Sequence, residues 1–218
     1  MTKEVLITGC ARSGTSMTAG ILHMHGLFCG STCGANRYNR KGMFENTAIR
    51  NGIVKPYLSL MGCDPMGQNP LPDTANLHPF KSLRKEMLDV LSKQGWDGQD
   101  WMYKGAKMCL FWPVLHEAFP KAKWVIVRRA DDEIVNSCMK TAFMRKRTTP
   151  EEWQDWIDHH KRCFNEMHEC GLDIFELWPS KFVYGDLSEL HELIDWLGLE
   201  WNQQAVDDFI EPKFWSGK

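Results

Sequence analysis

Residues 4–16 read Glu4-Val-Leu-Ile-Thr-Gly-Cys-Ala-Arg-Ser-Gly-Thr-Ser16. A short apolar run from Glu4 to Thr8 gives way to a glycine-bearing turn, then to a helical pattern from about Thr15 to His25 that Gly26 stops. The order is strand, loop, helix. A loop in that position aims backbone N–H groups and the positive end of a helix dipole at one spot. Gly9 and Gly14 let the backbone turn tightly and approach a ligand closely, while Thr15 and Ser16 add hydroxyl donors. The segment reads as a cradle for phosphate or sulfate.

The cradle departs from the phosphate loop of nucleoside triphosphatases, G-x-x-x-x-G-K-[ST], at one position. Thr15 stands where that motif places the lysine that reaches the β- and γ-phosphates. A cation lies inside the loop instead, at Arg12. A nucleotide kinase or NTPase of the P-loop type remains an alternative, and the absent lysine counts against it.

A second anion site is expected at Trp124-Val-Ile-Val-Arg-Arg-Ala-Asp-Asp-Glu-Ile-Val-Asn-Ser137. Arg128 and Arg129 follow a buried strand, at the end where open α/β sheets place their ligands. Ser137 lies eight residues beyond Arg129, one or two turns into the following helix. Two anion sites on neighbouring strand ends suit a ligand with separated phosphates.

The rest of the chain continues the alternation. Helices are expected over Glu45–Leu60, Pro79–Lys93, Asp131–Phe143 and Leu187–Leu197, and a short strand over Lys181–Tyr184. The clearest helix signal starts at Thr149, with Pro150 at the first helical position and Glu152 completing a capping box. Trp153, Trp156, Ile157, His160, Phe164 and Met167 then share one face, which reads as core and not as a sugar platform. Strands separated by helices imply an α/β fold, three layers with a central, mostly parallel sheet flanked by helices. One domain over 1–218 is expected, with loops at 27–43, 62–78 and 144–149 long enough to carry function.

Composition narrows the class. With 43% hydrophobic and 25% charged residues the chain has the profile of a globular protein. A net charge of -2 argues against a dedicated nucleic-acid binder, so any anion site must be local. No apolar stretch approaches the roughly 20 residues of a membrane span, and Met1-Thr-Lys-Glu4 runs directly into the first strand, so a cytoplasmic location is expected. The eight cysteines then read as reduced thiols. His23, His25, Cys29 and Cys33 have permitted zinc spacing, but His23 and His25 sit two apart on a helix and project in different directions. The Arg145-Lys-Arg147 run reads as a solvated loop.

At its two anion segments the chain resembles the sulfotransferases that use 3′-phosphoadenosine-5′-phosphosulfate (PAPS). Cys10-Ala-Arg-Ser-Gly-Thr-Ser16 is similar to the family's P-R-S-G-T-[ST] loop, and Val127 to Ser137 to its V-x-R-D-P-x-x-x-x-x-S segment. Asn39-Arg-Lys-Gly-Met-Phe-Glu-Asn46 resembles N-P-K-G-[YF]-[WF]-E-[ND], and Val183-Tyr-Gly-Asp-Leu187 resembles Y-E-D-L. Lys104-Gly-Ala-Lys107 stands where many members carry K-D-P-R, and Ala130-Asp131 replaces Asp-Pro. The resemblance runs nearly the whole chain in matching order and implies a P-loop-like sulfotransferase fold, with PAPS as donor, adenosine 3′,5′-bisphosphate as product and no metal requirement.

By that resemblance Ala11, Arg12, Ser13, Gly14, Thr15 and Ser16 would hold the 5′-phosphosulfate, and Arg129 and Ser137 the 3′-phosphate. Arg12 would also stabilise the bridging oxygen, Glu45 would be the base toward an acceptor hydroxyl, and Lys104 would touch the sulfuryl group. A catalytically inactive nucleotide-binding relative is the other alternative. The acceptor, a small molecule or carbohydrate, carries no motif that identifies it, and neither does the oligomeric state.

Overall fold

A computed structural model describes residues 2–215. Four parallel strands form the sheet: β1 (Glu4–Gly9), β2 (Trp101–Lys104), β3 (Lys123–Val127) and β4 (Ile174–Leu177), in the order β2-β1-β3-β4. The two strands that open the anion segments, β1 and β3, are therefore neighbours, with Gly9 paired to Val127.

Helices cover both faces because the strands bury both. Alternate residues of a strand point to opposite sides. Leu6, Trp124 and Ile126 accordingly join one apolar cluster, while Val5, Ile7, Val125 and Val127 join the other. The first cluster is closed by α3 (Lys55–Leu60), α4 (Leu83–Lys93), α5 (Trp112–Ala118), α6 (Asp131–Met139) and α7 (Pro150–Glu169), and the second by α1 (Thr15–Met24), α8 (Pro179–Val183), α9 (Ser188–Leu197) and α10 (Gln203–Phe209). All six residues assigned to the inner face of α7 are buried, and its capping box forms.

The structure revises several expected boundaries. Lys181–Tyr184 is not a strand: Pro179 sits in the first turn of α8, and the strand is Ile174–Leu177 just before it. Proline at a helix start is pre-organised for helix and donates no ladder hydrogen bond. The helix expected over Glu45–Leu60 begins at Thr47, because the Asn46 side chain caps it by accepting from the N–H groups of Ala48 and Ile49. That helix is also not uniform. After a single turn, α2 (Thr47–Ile49), residues Arg50–Val54 form a π-helical turn before α3 resumes the α geometry. The helix expected from Pro79 starts at Leu83, and the one expected to reach Phe143 stops at Met139. Trp101–Lys104 is β2, paired with β1 so that Lys104 lies beside Ile7.

All eight cysteines are free. No described helix is long and apolar enough to cross a membrane.

Candidate active site

The loop after β1 is built on two glycines that no other residue replaces. A side chain at Gly9, where φ is 151°, would place its Cβ 2.4 Å from the Val127 carbonyl oxygen. Gly14 caps α1 at φ 103° with no side-chain cap, so the first N–H groups of that helix stay open to a ligand. Between them Arg12 adopts φ 76°, a left-handed conformation that costs a non-glycine residue on the order of 1–3 kcal/mol and persists only where its surroundings enforce it.

Those surroundings are the second segment. Arg129 Nη1 donates to the Arg12 carbonyl at 2.7 Å, and Arg12 Nε donates to Ser137 Oγ at 3.0 Å. The two expected anion sites thus meet: Arg129 fixes the backbone of Arg12, and Ser137 fixes its side chain. Arg129 is 6% exposed and paired with Glu133 at 2.7 Å, and its guanidinium lies 4.2 Å from the centre of the Trp215 ring. Its Nη2 is buried without a hydrogen-bond partner among the described residues. Burial also lowers the Arg12 pKa, helped by the Arg129 charge.

From this junction a cleft of about 480 Å³ extends across the end of the sheet. Ala11, Arg12, Gly14, Thr15, Ser16, Glu45, Lys104, Arg129 and Ser137 all line it. Ser13 does not. Its N–H donates to the Cys10 carbonyl at 3.1 Å and its buried hydroxyl tucks beneath the loop toward Gly9, so Ser13 shapes the turn and presents no hydroxyl to a ligand.

The lysine absent from the loop has a counterpart on the adjacent strand. Lys104 ends β2, is 4% exposed, and donates to Ser16 Oγ at 3.4 Å. Its Nζ also lies 3.8 Å from Glu45, and Lys107 lies 3.6 Å from the other Glu45 oxygen. Glu45 sits just before the Asn46 cap, not on the helix, and its carbonyl accepts from the Cys33 N–H. The carboxylate is 5% exposed, and Oε1 makes no hydrogen bond among the described residues. Burial pushes its pKa up, but Lys107, Lys104 and Arg50 pull harder, and the net result lies below the ordinary carboxylate value. Burial likewise lowers Lys104, against the pull of Glu45.

Several lining residues carry no signal in the sequence. Tyr38 accepts from the Ala142 N–H at 3.0 Å and ties the 37–43 loop to the segment after α6. Trp215 closes the cleft over Gly14, reaching it from the C-terminal end of the chain. Arg50 and Lys55 also face in. The 145–147 run stays outside this cleft and is held by Gln68. His23 Nδ1 lies 3.6 Å from Cys29 Sγ, but among the described residues no group of three potential metal ligands is gathered.

Comparison with known proteins identifies the family and the fold. The family profile described as "Sulfotransferase domain" matches residues 81–195, more than half of the chain. The chain belongs to the sulfotransferase family, whose members draw the sulfuryl group from PAPS. Its fold is similar to that of the sulfotransferase STF1 from Mycobacterium tuberculosis H37Rv, at 14% identity and TM-score 0.54 over 95% of this chain and 71% of that one. It is similar also to the sulfotransferase domain of the Synechococcus PCC 7002 olefin synthase, at 13% identity and TM-score 0.59 over 100% and 83% of the two chains. The sulfotransferase domain from the curacin biosynthetic pathway gives TM-score 0.59 at 11% identity, over 94% of this chain and 77% of that one. No curated protein sequence matched the chain.

Proposed function

We propose that this cleft transfers a sulfuryl group from PAPS to a hydroxyl, or an amine, of a small-molecule or carbohydrate acceptor. The observation that carries the reading is Glu45: a buried carboxylate at the edge of the anion cradle, with Lys104 3.8 Å from one oxygen and Lys107 3.6 Å from the other. A base must be able to accept the acceptor's proton, and neither lysine comes closer to the carboxylate than 3.6 Å.

The residues fit the donor. The open N–H groups of α1, the Ser16 hydroxyl and Arg12 would receive the 5′-phosphosulfate, and the unpartnered Arg129 Nη2 would receive the 3′-phosphate together with Ser137. Bound there, PAPS supplies an activated sulfuryl group on a phosphate leaving group. Glu45 takes the acceptor's hydroxyl proton as the new O–S bond forms. Arg12 and Lys104 stabilise the electron pair released to the bridging oxygen of the departing phosphate as the old S–O bond breaks. Such transfer relies on alignment and on charges fixed in advance, by analogy with phosphoryl transfer.

Filling the cradle with an anion neutralises the lysines that hold Glu45 low, so donor binding raises the basicity of Glu45 when it is needed. The test is a thermal-shift comparison followed by turnover. Adenosine 3′,5′-bisphosphate at about one hundred times its Kd should stabilise the protein by about 2.7 kcal/mol, and ATP with magnesium should not. Stabilisation by ATP alone would favour the kinase alternative. Turnover of radiolabelled PAPS on an acceptor panel, lost in Glu45→Gln, would separate the enzyme from an inactive nucleotide binder.

A further inference from the structure

The cleft holds more positive charge than its donor requires. Among the described residues eleven Lys and Arg side chains line it against two carboxylates, Glu45 and Glu211, in a chain whose net charge is -2. PAPS carries about two negative charges at its 3′-phosphate and about two along the phosphosulfate. Those are met by the Arg12, Arg129 and Lys104 group described above. Arg50 and Lys55 line the same cleft and are not part of that group.

Neither is in a salt bridge among the described residues. Arg50 Nε reaches only Asn51 Oδ1, at 3.2 Å, and neither Arg50 nor Lys55 has a carboxylate within salt-bridge distance among the described residues. Burial lowers the Lys55 pKa, and the charges of Arg50 and Lys107 lower it further, against the pull of Glu45. Two cations in mutual repulsion at a cleft wall are an arrangement that folding alone disfavours.

The backbone enforces their convergence. Residues five apart on an α-helix project about 140° apart, since each residue turns about 100°. Arg50 and Lys55 instead bracket the π turn Arg50–Val54, in which the Lys55 N–H donates to the Arg50 carbonyl. An i to i+5 hydrogen bond stacks residue i+5 over residue i, so both side chains enter the same cleft. The turn interrupts an otherwise α-helical segment, and π turns recur at functional sites.

We infer that Arg50 and Lys55 form an acceptor subsite for a fixed anionic group, so that the acceptor is a hydroxyl compound bearing a carboxylate, phosphate ester or sulfate ester close to the hydroxyl that reacts. Lys107 lines the same cleft and lies 3.6 Å from Glu45. An anion on the pair orients the acceptor, placing the neighbouring hydroxyl beside the Glu45 carboxylate. The inference rests on the sulfotransferase reading of the same cleft, and it names the acceptor's chemistry.

The test uses the full chain saturated with adenosine 3′,5′-bisphosphate, titrated with inorganic phosphate by calorimetry. The wild type is expected to bind a second anion in the millimolar range, and Arg50→Gln/Lys55→Gln to weaken that event at least tenfold while the Kd for the bisphosphate stays within twofold. Loss of bisphosphate affinity in parallel would mean that the pair serves the donor, and would overturn the inference. So would an unchanged phosphate event in the double variant, which would assign it to the sulfuryl subsite, or the absence of any second event in the wild type. Failure of the bisphosphate itself to bind would sink the sulfotransferase reading instead.

A second arm offers PAPS with matched acceptors, glycerol against glycerol 3-phosphate, glucose against glucuronate, and galactose against galactose 6-sulfate. Preference for a charged member identifies which anion the pair takes, and that preference should vanish in the double variant. Faster turnover of the neutral members would overturn the inference.

Discussion

Arg12 Nε and Ser137 Oγ are hydrogen-bonded at 3.0 Å across 125 positions of sequence. This contact joins the loop after β1 to the helix after β3, and it is short because β1 and β3 are adjacent in the sheet. With Arg129 bonded to the Arg12 carbonyl, it holds Arg12 in its left-handed conformation.

Replacing Arg12 by lysine should therefore not be a neutral change. Lysine supplies one point charge in place of a planar fork, and it has no counterpart of the Nε that bonds Ser137. Turnover should fall about 10²–10³-fold, as for loss of one fixed oxyanion donor. Steady-state kinetics with PAPS would check this, and activity within threefold of wild type would remove Arg12 from its assigned role.

Glu45→Gln should lower kcat by about 10²–10⁴-fold while leaving the Kd for adenosine 3′,5′-bisphosphate nearly unchanged. The folded carboxylate titrates below its ordinary value, so the base is ionised throughout the neutral range and activity is lost only as pH falls through that depressed pKa. Lys107→Met removes the strongest charge that lowers it. The acid limb of the kcat/KM profile should then move to higher pH, and an unmoved limb would assign the titration to another group.

Arg129→Met should weaken the bisphosphate at least tenfold, because it deletes the unpartnered Nη2 and releases the Arg12 backbone. Ser137→Ala, which removes one hydrogen-bond acceptor, should cost less, about 0.5–1.5 kcal/mol of binding. Calorimetry on the two variants would establish the order, and the reverse order would refute it.

Gly9→Ala tests the fold beneath the site. Its Cβ would meet the Val127 carbonyl at 2.4 Å in a backbone conformation that side chains avoid. A loss of about 2–3 kcal/mol, or a Tm lower by about 4–12 °C for a chain of this size, is expected by calorimetric melting. Thr149→Ala, which removes one half of the α7 capping box, should cost about 1 kcal/mol.

Much of this was legible in the chain. The run Glu4–Thr8 and the glycines after it predict a strand that ends in a tight glycine loop, and the structure has both. The α7 capping box and its buried face follow from side-chain chemistry within one helical repeat. The misplaced strand at Lys181–Tyr184 shows the limit of such reading. Its apolar residues suit a strand or a short helix equally, and the proline two residues earlier decided for helix.

The sequence by itself determined what depends on neighbours along the chain: the strand–loop–helix start, the cradle glycines, the helix caps and the residue types that make up the candidate site. Only the tertiary structure decided what depends on distance through space. It set β1 beside β3 so that Arg12 meets Ser137, and β2 beside β1 so that Lys104 reaches Ser16 and Glu45. It also inserted a π turn that brings Arg50 and Lys55 together, although a regular helix would have pointed them apart. The physical reason is that local hydrogen bonds and apolar periodicity are written in short windows, whereas strand order and helix register are settled by how whole faces pack.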